Sequence, residues 1–118
     1  MKTKVVTFGE IMLRLNPPDH QRIVQAHSFD ASYAGGEANV AVFLAQLGLD
    51  VEYVTKLPDN LIGKAAFNHL KRYGARTEYI SWGGDRLGVY FIEHGASQRP
   101  SKVIYDRLRS AIAETKPG

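Results

Sequence analysis

Short β-branched runs alternate with helical segments along the first part of the chain, and this alternation most constrains the fold. Residues 5–8 and 51–55 are rich in Val, Thr, Tyr and Phe, as buried strands are. Residues 37–47 and about 60–73 have helical patterns, and each pattern stops before a glycine. Alternation of strands and helices predicts a parallel sheet with right-handed crossovers.

The pattern changes after the second predicted helix. Residues 79–82 are strand-like, and residues 89–93 and 103–105 flank a polar connection, which predicts a β-hairpin with a long loop. Residues 11–15 alternate loosely, and residues 22–30 resemble an irregular strand that leads into a glycine turn. Because few complete βα units are present, the sequence predicts an α/β fold with an incomplete Rossmann-type sheet and a small β-strand lid.

The two predicted helices differ in polarity. Nearly every residue between Val40 and Leu47 is apolar, so this helix has no polar stripe to face water. Such a helix is typical of a buried position. The second helix has a single apolar face, formed by Ile62, Ala66, Leu70 and Tyr73. The residues Pro58-Asp59-Asn60 offer it an N-cap, and Gly74 stands just beyond its end.

Composition excludes several classes of function. A chain of 118 residues with 44% hydrophobic content can form one core and one domain. The net charge of +3 is small and no basic block is present, so we expect no nucleic-acid partner. The lack of cysteine excludes disulfides and Cys-ligated zinc. No apolar run suits a signal peptide or a membrane span, so we expect a cytoplasmic protein without membrane contact.

A glycine pair stands directly before the first predicted helix. Gly35 and Gly36 remove side chains from the turn, so a ligand can approach the bare backbone there. The helix start adds unpaired N–H groups and a positive dipole end, and Asn39 adds one amide. Two interpretations stay open: a turn built for close packing, or a binding site for a polyhydroxylated ligand.

The segment from Tyr105 to Arg109 is the second candidate site. If it stays extended, Tyr105, Arg107 and Arg109 point to one side. An arginine binds a carboxylate with two hydrogen bonds, and a tyrosine bonds to a hydroxyl. Tyr90, in the facing strand of the hairpin, can join the same face or belong to the core. The alternative for the whole segment is a charged strand edge that resists aggregation.

Acidic and histidine residues give weaker signals. Glu10 follows the first strand, at the strand end where α/β sheets usually bind ligands. Three roles stay open for its carboxylate: binding a ligand hydroxyl, orienting a neighbouring side chain, or capping the backbone. Glu37 complements the helix dipole without needing a ligand. The four histidines are far apart, and we predict no metal site. The sequence has neither a G-x-x-x-x-G-K-[ST] phosphate loop nor a G-x-S-x-G elbow.

Several motifs together resemble the ribokinase-like carbohydrate kinases. They are Gly9-Glu10, the run AGGEANVA at 34–41, Leu47-Gly48, and Asp59 with Gly63. Within that family, GVYFIE at 88–93, RPS at 99–101 and VIYDR at 103–107 with Ser110-Ala111 are similar to segments of 2-keto-3-deoxygluconate kinases. The resemblance covers essentially the whole chain. Pro58 and Glu37 depart from the residues usual in the family, and glutamate at position 37 is compatible with the sugar-acid subgroup.

The resemblance implies two sets of substrate-binding residues. The set that contacts the sugar hydroxyls is Gly35, Gly36 and Asn39. The set that holds the substrate from the lid is Tyr90, Tyr105 and Arg107, with Arg107 on the acid group. Glu10 and Arg109 are further candidates.

The resemblance also implies that residues 1–118 are the N-terminal part of a kinase domain. Core segments lie at about 1–10 and 34–82, and lid strands at about 11–33 and 87–107. Family members are well over twice as long and carry, near the C-terminus, a glycine-rich anion hole and an aspartate that acts as general base. No segment here matches that signature, so we expect no catalytic residue. ATP and Mg²⁺ are expected for the full-length enzyme and not on this segment alone.

Three functions stay open at this point. The first is the N-terminal portion of a kinase that phosphorylates 2-keto-3-deoxygluconate with ATP and is inactive by itself. The second is a standalone, non-catalytic module for sugar-acid binding or dimerisation. The third is an inert truncation product that associates through its unfinished sheet. We expect a homo-oligomer that forms through the lid or through an exposed sheet edge.

Overall fold

The computed structural model describes residues 4–95 and 99–114. Its helices are α1 (Gly36–Gln46) and α2 (Leu61–Arg72). Its strands are β1 (Lys4–Phe8), β2 (Met12–Asn16), β3 (Asp30–Ala34), β4 (Asp50–Val54), β5 (Lys56–Leu57), β6 (Ser81–Trp82), β7 (Val89–Glu93) and β8 (Lys102–Asp106). Short 3₁₀ turns lie at Pro18–His20, Ile23–Gln25 and Ile112–Glu114. Within the described ranges, no helix is long and apolar enough to cross a membrane.

Two parallel strand pairs form the base of the core. β1 pairs with β4 so that Val5 lies beside Val51 and Thr7 beside Tyr53. β5 pairs with β6, also in parallel. α1 packs on β1 and β4, and α2 contacts β5. The mixed α/β architecture with parallel strands, predicted from the alternation of elements, is confirmed.

The core combines small helix residues with large strand residues. Ala38 and Ala41 of α1 are buried and let the helix approach the strands closely. Tyr53, Leu57 and Leu70 are completely buried in the same cluster. Burying a large apolar side chain stabilises a fold by about 1.5–3 kcal/mol, so these residues hold the helices and strands together.

The ends of α2 match the predicted caps. The Asn60 side chain accepts a hydrogen bond from the Gly63 amide at 2.9 Å, which caps the N-terminus. Beyond the C-terminus, Gly74 adopts φ +88°, a left-handed conformation that favours glycine. Of the predicted apolar face, Ala66 and Leu70 are buried, whereas Ile62 and Tyr73 lie at its margin and stay partly exposed.

A separate four-stranded sheet, the lid sheet, has the order β3-β2-β7-β8. β2 pairs antiparallel with β3 and parallel with β7, and β7 pairs antiparallel with β8. The predicted hairpin of residues 89–93 and 103–105 is therefore confirmed. Residues 96–98 of its predicted connection lie outside the described residues.

The prediction that the first helix is buried is wrong. Val40 of α1 is 48% exposed, Phe43 62%, and Leu47 just beyond the helix 63%. α1 contacts the strands through Ala38 and Ala41 on one side, and nothing in the described ranges covers the other side. An apolar composition shows that a surface is suited to burial, but it does not show that a partner is present.

The segment before the glycine turn also differs from its prediction. Residues 22–30 are not a strand: a 3₁₀ turn occupies Ile23–Gln25, and β3 begins only at Asp30. The backbone amide of Ile23 donates a hydrogen bond to Oε1 of Glu93 at 2.8 Å, across to β7. This distant carboxylate satisfies the turn's amide, a contact that the local sequence does not reveal.

Candidate functional site

The end of β1 holds Glu10 in a defined position. The Tyr53 hydroxyl donates a hydrogen bond to the carbonyl oxygen of Gly9 at 2.6 Å, and burial raises the pKa of this phenol. The Gly9 amide donates to the carbonyl oxygen of Val54 at 3.3 Å. Because both backbone groups of Gly9 are bonded, the next side chain, that of Glu10, leaves the strand in a fixed direction.

Glu10 accepts hydrogen bonds from two residues far away in the sequence. Its Oε2 accepts from the Ser110 hydroxyl at 3.0 Å, and its Oε1 lies 3.4 Å from Nη1 of Arg107. The Glu10 side chain is 18% exposed and that of Arg107 55%. An ion pair this exposed adds little stability, so its consequence is geometric: it holds a carboxylate and a guanidinium together at the surface.

Arg107 also contacts an aromatic pair on the lid sheet. Its guanidinium carbon lies 5.0 Å from the centre of the Tyr105 ring, within the range of a cation–π contact. Tyr105 is paired with Tyr90 across β7 and β8, and their ring centres are 5.8 Å apart. The structure therefore brings Tyr90, Tyr105 and Arg107 together, and Glu10 joins them through Arg107.

Gly88 makes room for this group. A Cβ at Gly88 would lie 2.8 Å from Oε2 of Glu10 and 3.0 Å from Cβ of Arg107. Beside the group is an open cavity of about 520 Å³, whose polar lining comes from Glu10, Glu37, Arg107 and Ser110. We call this the Glu10 pocket.

The two glycines before α1 have different surroundings. A Cβ on Gly35 would overlap the carbonyl oxygen of Glu10, so this glycine is required for close backbone packing. A Cβ on Gly36 would meet nothing within 4 Å. Gly35 is the N-cap of α1 and supplies no side-chain hydrogen bond. The packing interpretation thus explains Gly35, and the open space at Gly36 is consistent with the binding interpretation.

The extended geometry predicted as far as Arg109 ends earlier. β8 stops at Asp106, and Arg109 adopts φ +58° in a turn, so the alternation that would align it with Tyr105 and Arg107 is lost. Nη1 of Arg86 donates to Oδ1 of Asp106 at 2.8 Å. This hydrogen bond lowers the pKa of the Asp106 carboxyl and raises that of Arg86. The turn brings Ser110 back to Glu10.

Asn39 lies in a different place, the His69 pocket. This second cavity is lined by Asn39, Tyr33, His69 and Tyr73, among others. Tyr33 pairs with Leu13, and Leu13 pairs with Val89, so all three point to the face of the lid sheet opposite Tyr90. Burial and the nearby Arg72 lower the pKa of His69, and burial raises that of Tyr33. A direct contact between Asn39 and the ligand of the Glu10 pocket stays a prediction.

The Glu10 pocket presents two carboxylates, a guanidinium and a hydroxyl, and the two phenols of the lid sheet adjoin it through Arg107. Such donors and acceptors suit a ligand that carries hydroxyls and an acid group. Reasoning from the residues missed the roles of Ser110 and Gly88, because both depend on a chain reversal that brings distant segments together. The only signal for either was their place in the motifs that resemble the sugar-acid kinases.

The described residues offer no fit for a metal ion. Within residues 4–95 and 99–114, no group of three His, Cys, Asp or Glu side chains could hold a metal ion. The sequence also has no Walker-type phosphate loop.

Known proteins match this chain over nearly its whole length. The 2-dehydro-3-deoxygalactonokinase of Haloferax volcanii is 42% identical over 118 residues, which is 99% of this chain and 37% of that protein. A crystal structure of 2-dehydro-3-deoxygluconokinase from Thermotoga maritima is 66% identical, with a TM-score of 0.95 over 97% of this chain and 35% of that one. A PfkB family carbohydrate kinase from Listeria grayi is 39% identical, with a TM-score of 0.95 over 98% of this chain and 36% of that one.

This chain spans little more than a third of the length of these relatives. The family model of the pfkB carbohydrate kinases matches residues 2–116. The earlier resemblance to ribokinase-like kinases, and within them to kinases of the 2-keto-3-deoxygluconate type, is confirmed by these matches. The fold, the motifs and the family model agree: the chain belongs to the pfkB family of carbohydrate kinases.

Proposed function

We propose that this chain is the N-terminal, substrate-binding and lid portion of a kinase that phosphorylates 2-keto-3-deoxygluconate with ATP. The observation that carries the proposal is the convergence of Tyr90, Tyr105, Arg107 and Glu10, of which Arg107 and Glu10 line one open pocket. A sugar acid has the complementary groups, a carboxylate and several hydroxyls. The names of the relatives, two of which are dehydro-deoxy sugar-acid kinases, support the same substrate class.

In this proposal the lid side recognises the acid. Arg107 binds the carboxylate, and the hydroxyls of Tyr90 and Tyr105 bond to the sugar. Glu10 and Ser110 fix the direction of the Arg107 guanidinium, because Glu10 is bonded to both. Arg109 takes no part in this arrangement, since its backbone has turned away from the strand.

The floor of the site comes from the start of α1. Gly36 leaves the first helical turn open, so the N–H groups there can donate to sugar oxygens. Gly35 holds that turn against Glu10. The resemblance assigns a hydroxyl contact to Asn39 as well, which requires its amide to reach out of the His69 pocket. The division into core segments at about 1–10 and 34–82 and lid segments at about 11–33 and 87–107 belongs to this proposal.

Phosphoryl transfer needs groups beyond these residues. ATP supplies the phosphoryl group and Mg²⁺ spreads its charge, and both would be held by parts of a kinase-length polypeptide that this chain does not contain. The chain itself binds, orients and covers the sugar acid. We infer that it binds without catalysing transfer, in the cytoplasm where ATP is present.

One observation favours an alternative, a non-catalytic sugar-acid binding or dimerisation module. β8 lies at the edge of the lid sheet, and its Val103 and Ile104 are 44% and 54% exposed. An exposed apolar edge strand readily pairs with a second copy. Association through this edge is therefore part of both proposals, and catalysis separates them.

An ATP-coupled assay tests the proposal. The 118-residue chain is compared with a polypeptide that continues it to the length of its relatives, here called the kinase-length polypeptide. We expect phosphorylation of 2-keto-3-deoxygluconate by the second alone, and calorimetric binding of the sugar acid by both. Activity of the short chain would refute the inferred division of labour. Sugar-acid binding by both without activity in either would favour the alternative module.

A further inference from the structure

The lid sheet carries a second arginine on the same face as the two tyrosines. Arg14 in β2 is in register with Tyr90 in β7, and Tyr90 is in register with Tyr105 in β8. Paired residues on neighbouring strands point to the same side of a sheet. Arg14 therefore stands beside Tyr90, on the side of the sheet where Gly88 and Met12 meet Arg107.

The two arginines differ in how their charge is balanced. Arg107 lies 3.4 Å from the Glu10 carboxylate and stacks on Tyr105. Arg14 is half-buried, and its Nε is fully buried with no hydrogen-bond acceptor among the residues that the structure describes. On the neighbouring strand β3, Asp30 lies on the same face, two residues away from the register partner of Arg14. In the described ranges, no ion pair joins Asp30 to Arg14.

A buried donor without an acceptor destabilises the fold, and more strongly when the group is charged. The cost disappears if an anionic ligand supplies the acceptor. Glu10 partly offsets the Arg107 charge, whereas no carboxylate among the described residues forms an ion pair with Arg14.

We propose that Arg14 is a second contact of the substrate carboxylate and sets the preference of this site for acids over neutral sugars. The inference rests on the proposed function, because it takes the Tyr90–Tyr105 face as the lid side of the sugar-acid site. Arg107 and Arg14 then approach the carboxylate from the same face of the lid sheet, with the Tyr90–Tyr105 pair between them. Because Glu10 partly neutralises Arg107, Arg14 supplies the net positive charge of the site. This charge attracts a carboxylate and has no partner on a neutral sugar.

The test compares an acid with its neutral form. Calorimetry on the kinase-length polypeptide measures binding of 2-keto-3-deoxygluconate and of its methyl ester, with ATP-dependent turnover recorded in parallel. The variants are Arg14→Gln, Arg14→Lys and, as a matched control on exposed α2, Arg72→Gln. For Arg14→Gln we expect about tenfold or greater loss of affinity for the acid, since charge-assisted hydrogen bonds are the strong ones.

Charge specificity distinguishes a contact from a general loss of structure. For Arg14→Gln, we expect an affinity for the ester and an unfolding midpoint close to those of the Arg72→Gln control. For Arg14→Lys, we expect part of the affinity for the acid to be recovered. An equal loss for acid and ester would overturn the inference. The inference would also be overturned if Arg14→Gln left the affinity for the acid unchanged and shifted the elution volume in size-exclusion chromatography. That result would make Arg14 a contact between copies of the chain.

The inference and the proposed function fail in different ways. If the polypeptide binds the acid but does not phosphorylate it, the proposed reaction is wrong, and the Arg14 comparison still decides the inference by binding alone. If it phosphorylates the acid and Arg14→Gln changes neither KM nor affinity, only the inference is wrong. If no sugar acid binds, both are overturned.

Discussion

The Glu10 pocket and the His69 pocket are associated with opposite faces of the lid sheet, and they are held together differently. In the Glu10 pocket, ionic and hydroxyl groups from distant segments meet in directed contacts: Glu10, Arg107 and Ser110. In the His69 pocket, aromatic rings pack on each other, with Tyr33 5.9 Å and Tyr73 5.0 Å from the His69 ring. The first arrangement brings charged groups to the surface, whereas the second packs aromatic rings around a partly buried histidine.

This difference shows how a short motif can be divided between two sites. Gly36 and Asn39 are three positions apart, yet Gly36 leaves open space at the start of α1 and Asn39 lines the His69 pocket. Glu37, between them, lines the Glu10 pocket. Successive positions of a helix point in different directions, so one motif serves both cavities. Substitutions in the two regions test whether these positions also contribute differently to the free energy of unfolding and to ligand affinity.

The largest effect is expected at the glycine that joins the two regions. In Gly35→Ala, the added Cβ overlaps the Glu10 carbonyl oxygen. We expect the free energy of unfolding to fall by about 3 kcal/mol, at the upper end of the range typical of overpacked substitutions. Chemical denaturation measures it.

Gly36→Ala is the matched control, because its Cβ meets no atom. We expect unchanged or slightly higher stability, since alanine favours helix, together with weaker sugar-acid binding. Equal destabilisation by both substitutions would show that the glycine pair serves packing alone.

The next largest effect concerns the charged group of the Glu10 pocket. Arg107→Gln removes the guanidinium that stacks on Tyr105 and pairs with Glu10. We expect about 30-fold weaker binding of 2-keto-3-deoxygluconate, typical of losing a charge-assisted contact, with little change in the unfolding midpoint because the ion pair is exposed. Calorimetry and thermal unfolding are measured together. Unchanged affinity would remove Arg107 from the site.

A smaller effect is expected on the opposite side of the sheet. Asn39→Ala removes an amide from the His69 pocket. We expect about threefold weaker sugar-acid binding, which is at the lower end of what one hydrogen bond contributes. The measurement is the same titration as for Arg107→Gln. A loss as large as that of Arg107→Gln would mean that Asn39 contacts the ligand as strongly as Arg107 does, and the contrast between the two pockets would fail.

The smallest effect is a pH dependence in the His69 pocket. His69 has a pKa below its ordinary 6.5 in the folded chain, first because of burial. Above pH 6.5 the histidine is neutral in both states and has no effect. As pH falls below 6.5, the unfolded chain takes up the proton first, so stability decreases until the folded chain is protonated as well. His69→Gln should flatten this part of the stability curve, and an unchanged slope would contradict the assignment.

Much of the fold follows from local pattern. The β-branched runs, the Asn60 cap and Gly74 place β1, β4 and α2 correctly, because each signal acts within one element or at its end. The exposure of α1 was not predictable, since an apolar helix surface does not reveal which side is covered. The 3₁₀ turn at Ile23–Gln25 was missed because Glu93, its hydrogen-bond partner, lies far along the chain.

The sequence by itself determined the α/β class, the family motifs and the inventory of polar groups, because these depend on residue identity and local spacing. Tertiary structure alone decided which groups meet. It joined Glu10 to Ser110 and Arg107, turned Arg109 away, and separated Asn39 from Gly36. The physical reason is that a binding site depends on distances between side chains, and those distances are set by sheet register and chain reversals rather than by the order of residues.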